Sequence, residues 1–175
     1  MINIVEDLEM ISKIESNRLD LEFTDWNIAE HIQELFEILE MKAKKRSISL
    51  SLDNQSNVSY VDADRDKISQ VLINLIENSI KYGSEGGHTK VRIFEMGVNL
   101  LIEIADDGDG IPSEHLPRLF ERFYRVDKSR SRNAGGTGLG LSIVKHIIEA
   151  HRQTINVRST QNIGTTFSFT LKKAK

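Results

Sequence analysis

Three stretches carry residue types that could handle a phosphorylated ligand. The first runs from Asp64 to Tyr82. Ile68, Val71, Leu72, Leu75, Ile76 and Ile80 recur at helical spacing, and the opposite stripe carries Lys67, Gln70, Asn74, Glu77, Asn78 and Lys81. A solvated polar face would account for that stripe. Asparagine, however, is a mediocre helix former, and here two sit one turn apart with Lys81 completing the line. An asparagine carbonyl is a hard oxygen ligand, suited to Mg²⁺ that phosphates also hold. The second stretch is Ile104-Ala105-Asp106-Asp107-Gly108-Asp109-Gly110-Ile111-Pro112. A carboxylate ending a buried strand is a good acceptor for an exocyclic amine, and glycines at alternate positions let backbone approach a ligand closely. An acidic turn is the plainer reading; an EF-hand loop is excluded, because its sixth-position Gly and twelfth-position Glu fall out of register. The third is Gly135-Gly136-Thr137-Gly138-Leu139-Gly140-Leu141-Ser142, opening a helix. Backbone N–H groups at such a start form an anion site. No Lys follows in P-loop spacing and no strand immediately precedes, so neither a P-loop nor a dinucleotide fingerprint fits. Arg125, Lys128, Arg130 and Arg132 against Asp127 make the preceding segment basic. It reads as a loop or as a mobile cover over a polyphosphate.

These stretches need elements to position them. The spacing of Ile4, Leu8, Ile11 and Ile14 predicts an amphipathic helix over residues 2–16. That helix either lacks its partner or folds back on the domain. Leu19, Leu21 and Phe23 alternate with Asp20, Glu22 and Thr24 as a half-buried strand would. Residues 27–45 return to a helical period with Ile28, Ile32, Leu35, Phe36 and Leu39, and end in a basic cluster suited to the helix dipole. Strands are predicted at 47–52, 58–62, 89–95, 99–105, 154–159 and 165–171. Asp64 is placed to cap the helix that ends near Tyr82, and a last helix spans about 139–151. Helices and strands interleave without strict alternation, which predicts an α+β two-layer sandwich over a doubly wound sheet.

Composition sets the outer bounds. The chain has 175 residues, 23 basic and 26 acidic, for a net charge of −3, and no cysteine. A disulfide scaffold, a thiolate nucleophile and a Cys-ligated zinc are therefore excluded. The charge balance argues against nucleic-acid binding. No apolar run approaches the ~20 residues that span a bilayer, and the N-terminus lacks the pattern of a signal peptide. The expected setting is intracellular, with the sequence read as a piece of a longer protein.

In order and combination, these stretches resemble the ATP-binding catalytic domain of bacterial sensor histidine kinases. Asp66 to Tyr82 resembles the family's asparagine box, and Asp106-Asp107-Gly108-Asp109-Gly110-Ile111 its first glycine box. Leu119-Phe120-Glu121-Arg122-Phe123-Tyr124-Arg125 resembles the phenylalanine box. Gly136-Thr137-Gly138-Leu139-Gly140-Leu141 resembles the second glycine box, and Gly164-Thr165-Thr166-Phe167 the final strand motif. The resemblance implies the Bergerat fold, a mixed sheet packed on one layer of helices, and ATP with Mg²⁺ as cofactors. It implies metal ligands at Asn78 and Asn74, phosphate contacts from Lys81 and Arg125, and Tyr82 against the adenine. It implies Asp106 on the adenine amine. Gly108, Gly110, Ile111, Phe120, Gly136, Thr137, Gly138, Leu139, Gly140 and Leu141 complete the expected nucleotide-binding set.

Three departures stand out. His151-Arg152-Gln153 replaces the family's usual His-Gly-Gly, Asp107 replaces Asn and adds charge near the nucleotide, and no phosphoacceptor box is present. None of His31, His88, His115, His146 and His151 is followed by an acidic residue and a nearby Pro, so all five read as surface or helix-end histidines. Residues 1–17 then resemble the C-terminal part of a dimerisation and phosphoacceptor hairpin whose acceptor helix is absent, with the catalytic domain at 18–175. The implied activity is transfer of the ATP γ-phosphate to a histidine on that hairpin, for relay to a response-regulator aspartate. The implied partners are the hairpin, the regulator and a second copy in a full-length homodimer, on the cytoplasmic side of a membrane-anchored kinase. The chain alone would not label itself. The alternatives are a Bergerat-fold ATPase, disfavoured because Asn74 stands where a general-base Glu would, and a nucleotide-sensing module without turnover.

Overall fold

The computed structural model describes residues 4–16, 19–126 and 138–175. Its elements are α1 (Ile4–Glu15), β1 (Phe23–Asn27), α2 (Ile28–Lys45), β2 (Ser49–Asn54), β3 (Tyr60–Asp64), α3 (Arg65–Tyr82), β4 (His88–Met96) and β5 (Asn99–Asp106). A 3-10 turn follows at Ser113–Arg118, then α4 (Gly140–Ala150), β6 (Ile155–Thr160) and β7 (Gly164–Lys172). The main sheet has the order β2-β4-β5-β7-β6, and β1 pairs with β3 in a two-stranded sheet. Only β2–β4 is parallel in the main sheet, so it is mixed, as expected.

One face of that sheet meets the helices. Val91, Ile93, Leu100, Ile102, Ile104, Phe167, Phe169 and Leu171 point into a core shared with the α2, α3 and α4 stripes. All five apolar positions predicted for α2 and all six for α3 are buried. Burial of that kind contributes roughly 25 cal/mol per Å² of apolar surface, which outweighs the weak helix propensity of the asparagines on the other face. Asp64 caps α3 as predicted, accepting the Lys67 N–H at 3.0 Å.

Four expectations are corrected. Residues 19–22 are not strand: β1 starts at Phe23, and the Glu22 N–H is taken by the Asp64 carboxylate at 2.9 Å. The register also differs, because Trp26 is the buried residue of β1, its Nε1–H donating to Ala63 O at 3.0 Å, while Phe23 is 51% exposed. In the basic cluster after α2, Arg46 serves a different helix: its Nη1 donates to Ile80 O at 2.6 Å and also to Lys81 O, closing the C-terminus of α3. And Leu8, predicted on the apolar stripe of α1, is 47% exposed, although that helix takes the second of the two fates left open for it and folds back, with Met10 and Ile11 buried in the common core and α4 beside it.

Two of the five histidines lie near helix ends but are buried. His31 is buried, with Nδ1 3.0 Å from Glu34 Oε2 and Nε2 bonded to Ser69 Oγ. His151 is a helix-end residue but not a surface one. Its Nδ1–H donates to Ile147 O at 2.8 Å, and its Nε2 accepts the Asp64 N–H at 3.1 Å. The turn after it is built without glycine. Arg152 takes φ 58, its N–H reaches Glu149 O at 2.9 Å, and the Gln153 N–H reaches Ile148 O at 3.1 Å. Those two bonds form a Schellman cap with arginine in the left-handed position that glycine favours.

Candidate functional site

The polar stripe of α3, the end of β5 and the start of α4 meet on one side of the domain. Asn74, Asn78 and Lys81 are half-buried along α3. Glu77 turns away from them to pair with Lys42 of α2. A side chain added at Gly140 would begin 3.9 Å from the carboxamide oxygen of Asn74, so the first turn of α4 lies beside the asparagine line. Leu139, which precedes that turn, gives it no side-chain cap. The first amides of a helix have no partner within it, which makes such a start attractive to anions.

Asp106 closes the other end of the line. Its Oδ1 accepts the Gly108 N–H at 2.9 Å and the Thr165 N–H at 3.3 Å. Burial pushes its carboxyl above the usual aspartate value; the two amides pull the other way, and the Asp107 charge adds to the rise. Gly108 is where close approach demands glycine, because a Cβ there would fall 2.1 Å from Tyr82 O. The Asp106 strand end is thereby pressed against the C-terminus of α3. Tyr82 is 59% exposed, with the Lys81 ammonium 5.1 Å from its ring centroid.

Gly138 ties the second glycine segment to the phenylalanine-box segment. It adopts φ 75, its carbonyl accepts the Phe123 N–H at 2.8 Å, and a Cβ would fall 2.8 Å from Phe123 Cα. The other predicted residues lie around these segments. Leu139 is fully buried and Leu141 partly so. Gly110 lies against Thr160 O, and the Ile111 N–H donates to Ser159 Oγ at 2.7 Å, which places both at the β6–β7 turn. Phe120 packs edge-on to Phe167 with ring centroids 6.2 Å apart. Arg125 is half-buried at the edge of the described residues. Gly136 and Thr137, and the expected cover over 126–137 beyond Val126, lie outside the described residues.

Sequence reasoning missed Thr165 and Gly164. Thr165 steadies the Asp106 carboxylate, and a Cβ at Gly164 would meet Asp106 O at 2.1 Å. The signal was present in Gly164-Thr165-Thr166-Phe167, but a role beside Asp106 depends on β5–β7 pairing. Among the described residues, no group of three or more His, Asp or Glu side chains could hold a metal. A metal here would depend on the Asn74 and Asn78 oxygens together with ligand phosphates. Neutral amide oxygens with phosphate oxygens are a fitting donor set for Mg²⁺, which keeps few protein ligands.

Residues 63–175, the span holding all of these groups, match the family model described as histidine kinase-, DNA gyrase B- and HSP90-like ATPase. The chain belongs to that family. Within it, the similarity is to histidine kinase catalytic domains. The catalytic domain of histidine kinase ThkA superposes with a TM-score of 0.77 at 34% identity, over 87% of this chain and 97% of that one. The histidine kinase AdeS of Acinetobacter baumannii gives 0.81 at 28% identity, over 98% and 78%. The sensor histidine kinase WalK of Bacillus subtilis is 40% identical across 98% of this chain, but that span is only 28% of WalK. The chain is thus an ATP-binding catalytic domain of the histidine kinase type, about a quarter of the length of such a relative. No described helix is long and apolar enough to cross a membrane.

Proposed function

We propose that this domain binds Mg-ATP and transfers its γ-phosphoryl group to a histidine imidazole on a dimerisation hairpin, for relay to a response-regulator aspartate. The observation that carries this reading is the seating of the α4 start against Asn74, with Asp106 at the far end of the same line. It offers an anion site, a hard-oxygen pair and an amine acceptor spaced along one face of α3. Phosphoryl transfer asks mainly for positioning and charge neutralisation. Asp106 accepts the adenine amine and Tyr82 lies against the base. Lys81, Arg125 and the first amides of α4 face the phosphates, and Asn78 with Asn74 holds the metal. The bound cation supplies neutralisation of developing charge on phosphate oxygens. Neutral imidazole is the nucleophile.

An ATPase needs a base for water. Asn74 cannot take a proton at neutral pH, and Glu77 is held toward α2 by Lys42. This favours the kinase over the hydrolase. The proposed division is a hairpin segment at 1–17 and a catalytic domain at 18–175, within a homodimeric, membrane-anchored kinase whose catalytic part is cytoplasmic. A ThkA structure in complex with the response regulator TrrA, 30% identical over 98% of this chain, supports the relay.

The test is transfer in trans. With labelled ATP, the chain alone stays unlabelled, and a separate acceptor hairpin of the same kinase becomes labelled at a rate that rises with domain concentration. The product is acid-labile and base-stable, as phosphoimidazole is. Labelling of the chain on its own histidines, or steady phosphate release without acceptor, contradicts the reading.

A further inference from the structure

Asp107, which stands where the family usually has asparagine, is fully engaged. Its two carboxylate oxygens lie 3.3 and 3.2 Å from the His88 backbone N–H that they accept. Oδ2 also lies 3.1 Å from His88 Nδ1. The Asp107 carbonyl accepts Ser84 Oγ–H at 2.7 Å. A Cβ on Gly87 would fall 2.3 Å from Oδ1, so the loop backbone rests directly on the carboxylate. The charge expected near the nucleotide is therefore spent on His88, the first residue of β4, against the end of the loop of residues 83–87.

That loop joins the end of α3 to the start of β4. From the other side it is held to the α2–β2 turn, by the Gly86 N–H on Arg46 O at 3.0 Å and the Ser49 N–H on Gly87 O at 3.1 Å. Those bonds do not reach β5. Asp107, one residue beyond Asp106, adds ties at the end of β5 to the Thr89–Asp106 pair of the β4–β5 ladder: its carbonyl holds Ser84 of the loop and its carboxylate holds His88. At the same place a Cβ on Gly83 would lie 3.8 Å from Asp106 Cβ. The spacing between Asp106 and the α3 terminus thus depends on how the loop is held.

We propose that Asp107 and His88 are positioning residues for base recognition: they clamp the 83–87 loop onto the end of β5, and so fix Asp106 and Tyr82 at the separation a purine base requires. The proposal rests on the nucleotide reading above and deepens it. Asparagine at 107 can accept the His88 N–H through its one carbonyl oxygen but puts an NH₂ where the second carboxylate oxygen meets the imidazole. Aspartate puts an acceptor oxygen there, at the cost of a second carboxylate beside Asp106. A clamp acts on affinity by setting the fraction of molecules with the binding-competent spacing.

The test is titration of this chain with metal-free ADP and with Mg-ATP. His88 is 57% exposed, so His88→Ala keeps the fold even where Asp107→Ala does not. Each variant weakens both ligands by up to about fivefold, the reach of one partly exposed polar pair, equally with and without metal. The double variant loses no more than Asp107→Ala alone, and Asp107→Asn, like His88→Ala, falls between parent and Asp107→Ala, because both keep the bond from the His88 backbone N–H. Parent-like affinity in His88→Ala, or losses that multiply in the double variant, overturns the clamp. Asp106→Ala separates the two levels. If it weakens binding while the clamp variants do not, only the clamp is wrong; if all three bind like the parent, the base site itself is misassigned.

Discussion

Asp106→Asn is the substitution that most sharply examines the proposed base site. Among the described residues, the Gly108 and Thr165 amides both go to Oδ1, which leaves Oδ2 as the oxygen a ligand would meet. Asparagine keeps a carbonyl for those two amides and turns an NH₂ toward the ligand. The turn therefore survives while the acceptor becomes a donor. A hydrogen bond to a charged acceptor contributes about 1.5–3 kcal/mol, so adenine nucleotide affinity falls roughly ten- to a hundredfold. Guanine offers a carbonyl where adenine offers an amine, so a guanine nucleotide gains a partner. The ratio of ADP to GDP affinity, by titration calorimetry without metal at pH 7.5, should collapse or invert. A general loss of structure would weaken both nucleotides together.

Stability provides the control. Burial raises the Asp106 pKa in the folded state, so its ionised form is less favourable folded than unfolded, and neutral asparagine removes that penalty. The variant should melt no lower than the parent. Acidity gives an independent sign: only the carboxylate accepts from an amine, so adenine affinity in the parent should weaken as pH falls, starting above the ordinary aspartate value of 3.8. The Asn variant should lack that limb. An Asp106→Asn protein that still prefers ADP over GDP by the parental ratio refutes the assignment.

Other expectations can be checked with the same protein. Asn78→Ala should weaken Mg-ATP far more than metal-free ADP; equal losses by calorimetry would remove Asn78 from the metal. His151 is held neutral by burial, its pKa below the ordinary 6.5, so the unfolded chain takes up the proton first. Stability should be full above about pH 6.5 and fall as pH drops below it, by at most about 1.4 kcal/mol per unit for one proton. Urea melts at pH 7.5 and 5.5 should show a smaller difference in His151→Gln than in the parent. Arg152→Gly relieves a left-handed arginine costing about 1–2 kcal/mol and adds backbone freedom worth about 0.5–1 kcal/mol to the unfolded chain. The melting temperature should rise by about 1–4 °C, and a fall would mean that the Arg152 side chain holds more than its backbone costs.

What the sequence revealed and what it concealed divide along a physical line. The stripes of α2 and α3 were legible because each is a local periodicity, and every predicted position on them is buried. The Asp64 cap was legible for the same reason, its partner lying three residues away. Contacts between distant segments were not legible. Arg46 looked like a cation for its own helix, yet it closes α3, 34 residues on. Thr165 reaches Asp106 across 59 residues, through strand pairing that no local pattern encodes.

The same division explains the candidate site. Asn74, Asn78 and Lys81 could be read off one helix face, and Asp106 off one strand end. Their convergence rests on Gly108 passing under Tyr82 O and on α4 starting beside Asn74, which local spacing cannot express. Two histidines add a further case. His31 falls on the apolar stripe of α2, three residues after Ile28 and four before Leu35, but the partners that satisfy buried His31 and His151 are remote: Ser69 across α2 and α3, and Asp64 across α4 and β3. Asp107 combines both cases. Its charge was visible and its direction was not, since His88 lies 19 residues away across the β4–β5 pair. A carboxylate read from sequence as facing a ligand is, in the fold, a clamp on the loop beside it. A residue type fixes what a side chain can do; only its non-local neighbours fix whether a ligand or the protein itself receives it.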